Sequence, residues 1–147
     1  MEEVHTSIGI GAPASGVWKL LTDFAGYPRW NPFITRMAGE LRLGGRLDAD
    51  IKFTERTVTI NPTIVGLESE RELCWRGVVG NGLFTSEHRL EIQPVTHNRV
   101  VLVQAERFTG PVVEIIAKKL DATLRRGFEE MNAAAKRIAE GAWKNSE

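Results

Sequence analysis

The stretch "RLDADIKF", residues 46–53, alternates without a break: Leu47, Ala49, Ile51 and Phe53 are apolar, while Arg46, Asp48, Asp50 and Lys52 are charged. A period of two places the first set on one face of a strand and the second set in water. The same period runs from Ile34 for about seventy-five residues, through 34–42, 45–53, 56–67, 71–79, 83–93 and 99–109. Between these runs stand Gly44-Gly45, Thr54-Glu55, Glu68-Ser69-Glu70, Gly80-Asn81-Gly82 and Thr96-His97-Asn98. These are turn residues, and connections this short join antiparallel neighbours.

Outward from this meander the period changes. Residues 4–10 make one more strand, with Val4, Thr6, Ile8 and Ile10 on one side. "PASGVWKLLTDF" (13–24) then repeats Val17, Leu20, Leu21 and Phe24 at helical spacing behind a proline suited to a first turn. "DFAGYPRWNPF" (23–33) crowds Phe24, Tyr27, Trp30 and Phe33 around Pro28 and Pro32. Neither a long helix nor a central strand survives two prolines there, so a broken helical turn is expected. On the far side, Thr109-Gly110-Pro111 closes the sheet and opens a long helix. Its stripe is Val112, Ile116, Leu120, Leu124, Phe128, Met131, Ala135 and Ile138, with Gly141 as its expected end. Glu114, Lys118, Lys119, Asp121, Arg125, Arg126, Glu129, Glu130, Lys136 and Arg137 cover the opposite, solvated face.

The order predicts one α+β domain over 1–147: a seven-stranded curved antiparallel sheet wrapped around a long C-terminal helix, with two short helices after strand 1. A bent sheet cannot touch a straight helix along its whole length. A pocket is therefore expected where they diverge, with the aromatic stretch at 23–33 as its plug or rim.

Composition narrows the function classes. The chain has 147 residues, 42% of them hydrophobic and 26% charged, which suits one domain with a core of its own. Nineteen basic residues balance nineteen acidic ones, so no overall field attracts nucleic acid or an anionic membrane. A single cysteine, Cys74, excludes an internal disulfide and is compatible with a reducing compartment. The opening "MEEVHTSIGI" has acids where a secretory leader has bases, and no apolar run approaches the ~18 residues of a membrane span, so a cytoplasmic protein is expected. His5, His88 and His97 fall on separate strands or turns, GxSxG is absent, and Gly44-Gly45 lies between two strands rather than before a helix. No metal, nucleotide or other cofactor is expected.

Two polar side chains interrupt the inward face of "FTSEHRLEI" (84–92): Ser86 and His88 stand among Phe84, Leu90 and Ile92. On "VLVQAERF" (101–108) two phases are open. The one that leaves Arg107 in water turns Leu102, Gln104, Glu106 and Phe108 inward and sets Glu106 beside His88 on adjacent strands. A carboxylate beside an imidazole suits a general base, and His88 with Glu106 are the candidate catalytic pair. The bland alternative is that they are buried groups that satisfy one another, a helix terminus or a loop amide. Trp30, Phe33, Phe53, Trp75, Phe84, Phe108, Ile116 and Leu120 are the candidate ligand-contacting walls, with Gln104 as a polar contact. An aromatic stripe is also what an ordinary core looks like. Asn31 reads as a turn or cap group, Trp18 and Trp143 as packing or surface residues, and Cys74, on the outward phase, as an inert thiol.

The stretches "IGAPASGVWKLLTDFAGYPRWNPF" (10–33), "LCWRG" (73–77), "EHRLEIQP" (87–94) and "QAERFTGP" (104–111) resemble the START-related, or SRPBCC, superfamily with its helix-grip fold. The likeness is to the bacterial polyketide cyclase/dehydrase and lipid-transport branch, and it spans nearly the whole chain. The resemblance implies a hydrophobic cavity for a lipid-like, polyketide-like or aromatic molecule. Three functions follow from it as expectations. The first is binding or carriage of such a ligand, the second a cyclase or dehydratase using His88 and Glu106, and the third a protein-interaction module like the superfamily's co-chaperone relatives.

Overall fold

The computed structural model describes residues 2–53 and 55–146, with the side chains of residues 2, 79, 116 and 117 outside that description. The chain runs β1 (Glu2–Ile10), α1 (Ala14–Thr22), a 3-10 turn, α2 (Tyr27–Trp30), β2 (Ile34–Gly39), β3 (Leu47–Phe53), β4 (Arg56–Ile60), β5 (Thr63–Glu68), β6 (Glu72–Val79), β7 (Phe84–Thr96), β8 (Arg99–Thr109) and α3 (Val113–Asn145). The α+β class, the curved antiparallel sheet and the long terminal helix are as expected.

The strand count differs. Among the described residues eight strands form two sheets, one of five in the order β1-β8-β7-β6-β5 and one of three in the order β2-β3-β4, instead of a single sheet of seven. The run expected over 56–67 breaks at Asn61-Pro62. Pro62 has no amide proton to give a ladder, and the chain crosses there from the small sheet to the large one. The sheets stay laced at this corner: Leu47 N–H donates to the Pro62 carbonyl at 2.8 Å, Ile64 N–H to Gly45 at 2.9 Å and Gly44 N–H to Ile64 at 2.9 Å. The helix also outruns its expected stop at Gly141 and continues to Asn145, where Trp143 packs on the core.

The inward sets read from alternation supply the core, and on β8 Val103 and Ala105 of the opposite phase are buried as well. Val4, Ile10, Leu47, Ala49, Leu90, Ile92, Leu102 and Phe108 join Leu124, Phe128, Met131 and Ala135 of α3 in one core. Gly110 permits the turn from β8 into α3. It holds φ +123°, and a Cβ there would lie 2.3 Å from the Leu83 carbonyl oxygen.

The aromatic connector is a knot against that core. Tyr27 is fully buried, donates its hydroxyl to the Leu21 carbonyl at 2.6 Å, and meets Phe24 and Trp30 edge-on at 5.9 and 5.4 Å. Burial, with the Asp23 charge adding, pushes its phenol pKa well above the usual range. Asn31 caps the knot: its Oδ1 accepts the amides of Phe33 and Ile34 at 3.0 and 2.8 Å.

On the outer face of the small sheet Arg36 forks onto Asp48 and Asp50 at 2.9 and 3.0 Å. Hydrogen bonds from Arg36, helped at Asp50 by Thr59, hold both carboxyl pKa values below the ordinary value. A depressed folded pKa gives stability that is present above the unfolded carboxylate value, about 4, and is lost as pH falls through the folded value. The amides of β2 to β4 should therefore lose hydrogen-exchange protection below about pH 4 before those of β7 and β8, and Arg36→Met should remove that pH dependence.

Candidate functional site

Three neighbouring strands of the large sheet carry a row in register: Trp75 on β6 faces His88 on β7, which faces Glu106 on β8. The next inward row is Gly77, Ser86 and Phe108. Both rows look into a cavity of about 440 Å³ between the large sheet, the small sheet and α3. Ile51, Phe53, Val58 and Ile60 close it from the small sheet, Phe33 from the connector, and Leu120 and Leu124 from the helix. Its size falls in the range of small-molecule sites.

Aromatic packing shapes the wall. Phe84 and Phe108 stack at 5.4 Å, and Phe33 meets Phe53 and Phe128 edge-on at 6.2 and 5.5 Å. The His88 ring lies flat on Trp75 at 4.6 Å and edge-on to Phe128 at 4.9 Å, so its plane is fixed from two sides. His88 Nε2 is 2.8 Å from Gln104 Oε1. Its Nδ1 lies 3.7 Å from Glu106 Oε1, which is ion-pair range but too long for a hydrogen bond.

Of the residues singled out in the sequence, the cavity wall brings together Phe33, Phe53, Trp75, Phe84, His88, Glu106, Phe108 and Leu120. Trp30 is elsewhere, half-buried on Tyr27, and is not among the described wall residues. Gln104 lies beneath the wall, fully buried and hydrogen-bonded. The side chain of Ile116 falls outside the described residues. Cys74 is buried among neighbours on the other face, with its thiol pKa pushed up to about 11 by burial and then by the charges of Glu87 and Glu72.

The wall also has members that alternation did not single out. Val58, Thr59, Ile60, Asn61 and Pro62 reach it because the chain leaves the small sheet there, a break hidden inside a run that reads as one strand. Arg46, assigned outward with Asp48 and Asp50, is exposed yet borders the cavity, because it bridges to Thr63 at the corner where the sheets meet. Asn61-Pro62 was the signal available for both. Among the described residues no group of three or more His, Cys, Asp or Glu could hold a metal, and no helix is long and apolar enough to cross a membrane.

This architecture is that of a known class. Residues 1–136 match the family described as polyketide cyclase / dehydrase and lipid transport, and the chain belongs to it. No curated protein sequence matches the chain significantly. Among solved structures, the Zhui aromatase/cyclase from Streptomyces sp. R1128 superposes with a TM-score of 0.77 at 17% identity, covering 95% of this chain and 93% of that one. A START superfamily protein from Mycobacterium smegmatis gives 0.74 at 17% identity, covering 99% of each chain. Norcoclaurine synthase from Thalictrum flavum, solved with dopamine and hydroxybenzaldehyde, gives 0.69 at 13% identity, covering 93% of this chain and 85% of that one. Likenesses at these identities are likenesses of fold.

Gly127 of α3 sets how closely the helix approaches Phe33: a Cβ there would sit 2.3 Å from Phe33 Cδ1. Gly127→Ala should therefore push the Phe33 ring toward the cavity. Urea denaturation should show a net loss of about 1–2 kcal/mol, overpacking outweighing the ~1 kcal/mol helix-propensity gain, and any ligand that fills the cavity should bind more weakly.

Proposed function

We propose that the protein binds a small hydrophobic molecule, aromatic or polyketide-like, in the cavity between its sheets and α3. The observation that carries this reading is the composition of the wall. Aromatic and aliphatic side chains form most of it, and His88, Glu106 and Ser86 stand together on one side. Such a wall takes its affinity from apolar burial and uses a few polar groups to orient the ligand. Membership of a family described by polyketide cyclisation and lipid transport supports the same ligand class. So does the fold shared with an aromatase/cyclase and with a synthase that holds dopamine and hydroxybenzaldehyde.

One observation favours an enzyme as the second reading. The Nδ1 of His88 faces Glu106 across 3.7 Å at the cavity wall, with the ring held by Trp75 and Phe128. A ligand with an acidic C–H or O–H placed there would lose that proton to Nδ1, and Glu106 would stabilise the imidazolium that results. From a C–H ligand the carbanion so formed would close an aldol ring on a carbonyl, or expel a β-hydroxyl as water with the proton the imidazolium returns. An O–H ligand would instead be held as its oxyanion.

Carriage and catalysis are separable. Native mass spectrometry of the purified protein should show a bound small molecule, and a naphthalene-type fluorescent probe should compete with it. Gly77 lines the cavity, and a Cβ there meets only Ser86 Oγ, at 3.5 Å. Gly77→Leu should thus fold normally, fill the space and weaken probe binding at least tenfold. Equal binding by this variant would remove the cavity from the reading. Glu106→Gln should retain ligand in a carrier, and should retain ligand but abolish turnover in a cyclase.

A further inference from the structure

We infer that Thr6, Asn132 and Gln104 are positioning residues that lock the neutral His88 imidazole in its Nε2–H tautomer and so present the Nδ1 lone pair to the cavity. Four buried polar side chains, one from each of β1, β7, β8 and α3, make a single hydrogen-bonded chain. Its direction is set by backbone carbonyls, which only accept. At one end the Thr6 hydroxyl donates to the Gln104 main-chain oxygen at 2.8 Å. The Thr6 oxygen is then free to accept, and Asn132 Nδ2 donates to it at 2.9 Å. That turns Asn132 Oδ1 toward Gln104, whose Nε2 donates to it at 2.7 Å. The same Nε2 also points at the Phe128 carbonyl, 3.4 Å away, which fixes the amide a second time. Gln104 is left with only its oxygen toward His88, and Nε2 must carry a proton to meet it at 2.8 Å.

The other ring nitrogen makes no hydrogen bond among the described residues, and Glu106 Oε1 lies 3.7 Å from it. In the neutral ring this nitrogen is an acceptor. Without the lock, imidazole in water exchanges its proton between both nitrogens, and a fraction of molecules would offer the cavity a donor instead. Three further buried polar side chains are also more than one histidine needs for satisfaction, since a single carbonyl would suffice. The inference deepens the proposed ligand site and rests on that reading for its use. The tautomer itself is measurable with no ligand present.

The test is two-dimensional 15N–1H correlation of the imidazole rings in the full chain, with ring-labelled histidine in alkaline buffer. The His88 signals are assigned by their loss in His88→Gln. A protonated-type nitrogen at Nε2 and a lone-pair-type nitrogen at Nδ1 are expected in the wild type, and the reverse pattern would overturn the proposal. Gln104→Met and Asn132→Leu should fold and shift His88 toward a mixture or the Nδ1–H form, whereas Asn132→Asp, which keeps an acceptor for Gln104, should retain the wild-type pattern. An unchanged tautomer in folded Gln104→Met and Asn132→Leu would also overturn it. If neither variant folds, the wild-type spectrum decides alone. Failure to bind the naphthalene probe would sink the ligand reading and leave the tautomer result standing.

Discussion

Helix α3 is pinned to the sheet at the level of Phe128 and Asn132, and the cavity lies on the amino-terminal side of that pin. At that level Phe128 is fully buried against Phe33 and His88, Gly127 lets the Phe33 ring reach the helix, and Asn132 is tied through Thr6 and Gln104 to β1 and β8. Beyond it, toward Trp143, the helix lies on β1 and α1, and Glu140 accepts the Gly11 amide at 2.8 Å. Before it, Leu120 and Leu124 border open volume instead. A straight helix fixed at its middle against a curving sheet must leave a gap at one end, and here it is the amino-terminal end.

The pin is polar at its centre, which is an expensive way to hold a helix. An all-apolar contact of similar volume would avoid the cost of dehydrating Thr6, His88, Gln104 and Asn132. The hydrogen bonds the four side chains exchange offset that cost, and geometric specificity is what the network supplies beyond it. Each member comes from a different element, so sliding α3 by a turn or slipping β1 by a residue would leave buried polar groups without partners. The ring plane of His88, fixed by Trp75 and Phe128, and its hydrogen-bond direction, fixed by Gln104, are thereby set by the same contacts that set the fold.

Most of this was legible wherever period-two alternation reports a face directly. Leu47 to Phe53, Phe84 to Ile92 and Leu102 to Phe108 point where their spacing says, and so His88 and Glu106 were found as neighbours. What alternation cannot report is a change of sheet within an unbroken pattern. The run 56–67 reads straight through Asn61-Pro62, and only the missing proline amide marks the crossing. Trp30 misled for a related reason: aromatic size between two prolines indicates burial but not against what, and its partner is Tyr27. Asn132 has no apolar signal, so the core stripe of α3 reads complete without it. It stands four residues after Phe128, a lone amide on an apolar line, as Thr6, His88 and Gln104 stand on theirs.

The crossing at Asn61-Pro62 does more than raise the strand count. Had β4 continued into β5 along one sheet, the side chains of 58–62 would have followed the curvature of that sheet. Turning the chain there stands β2, β3 and β4 up as a separate wall, with Ile51, Phe53, Val58 and Ile60 facing the large sheet across the volume. Lacing at Gly44 to Leu47 keeps the two walls from parting. The proline that ends a strand and the cavity that distinguishes this interior from a filled core are thus consequences of one backbone constraint.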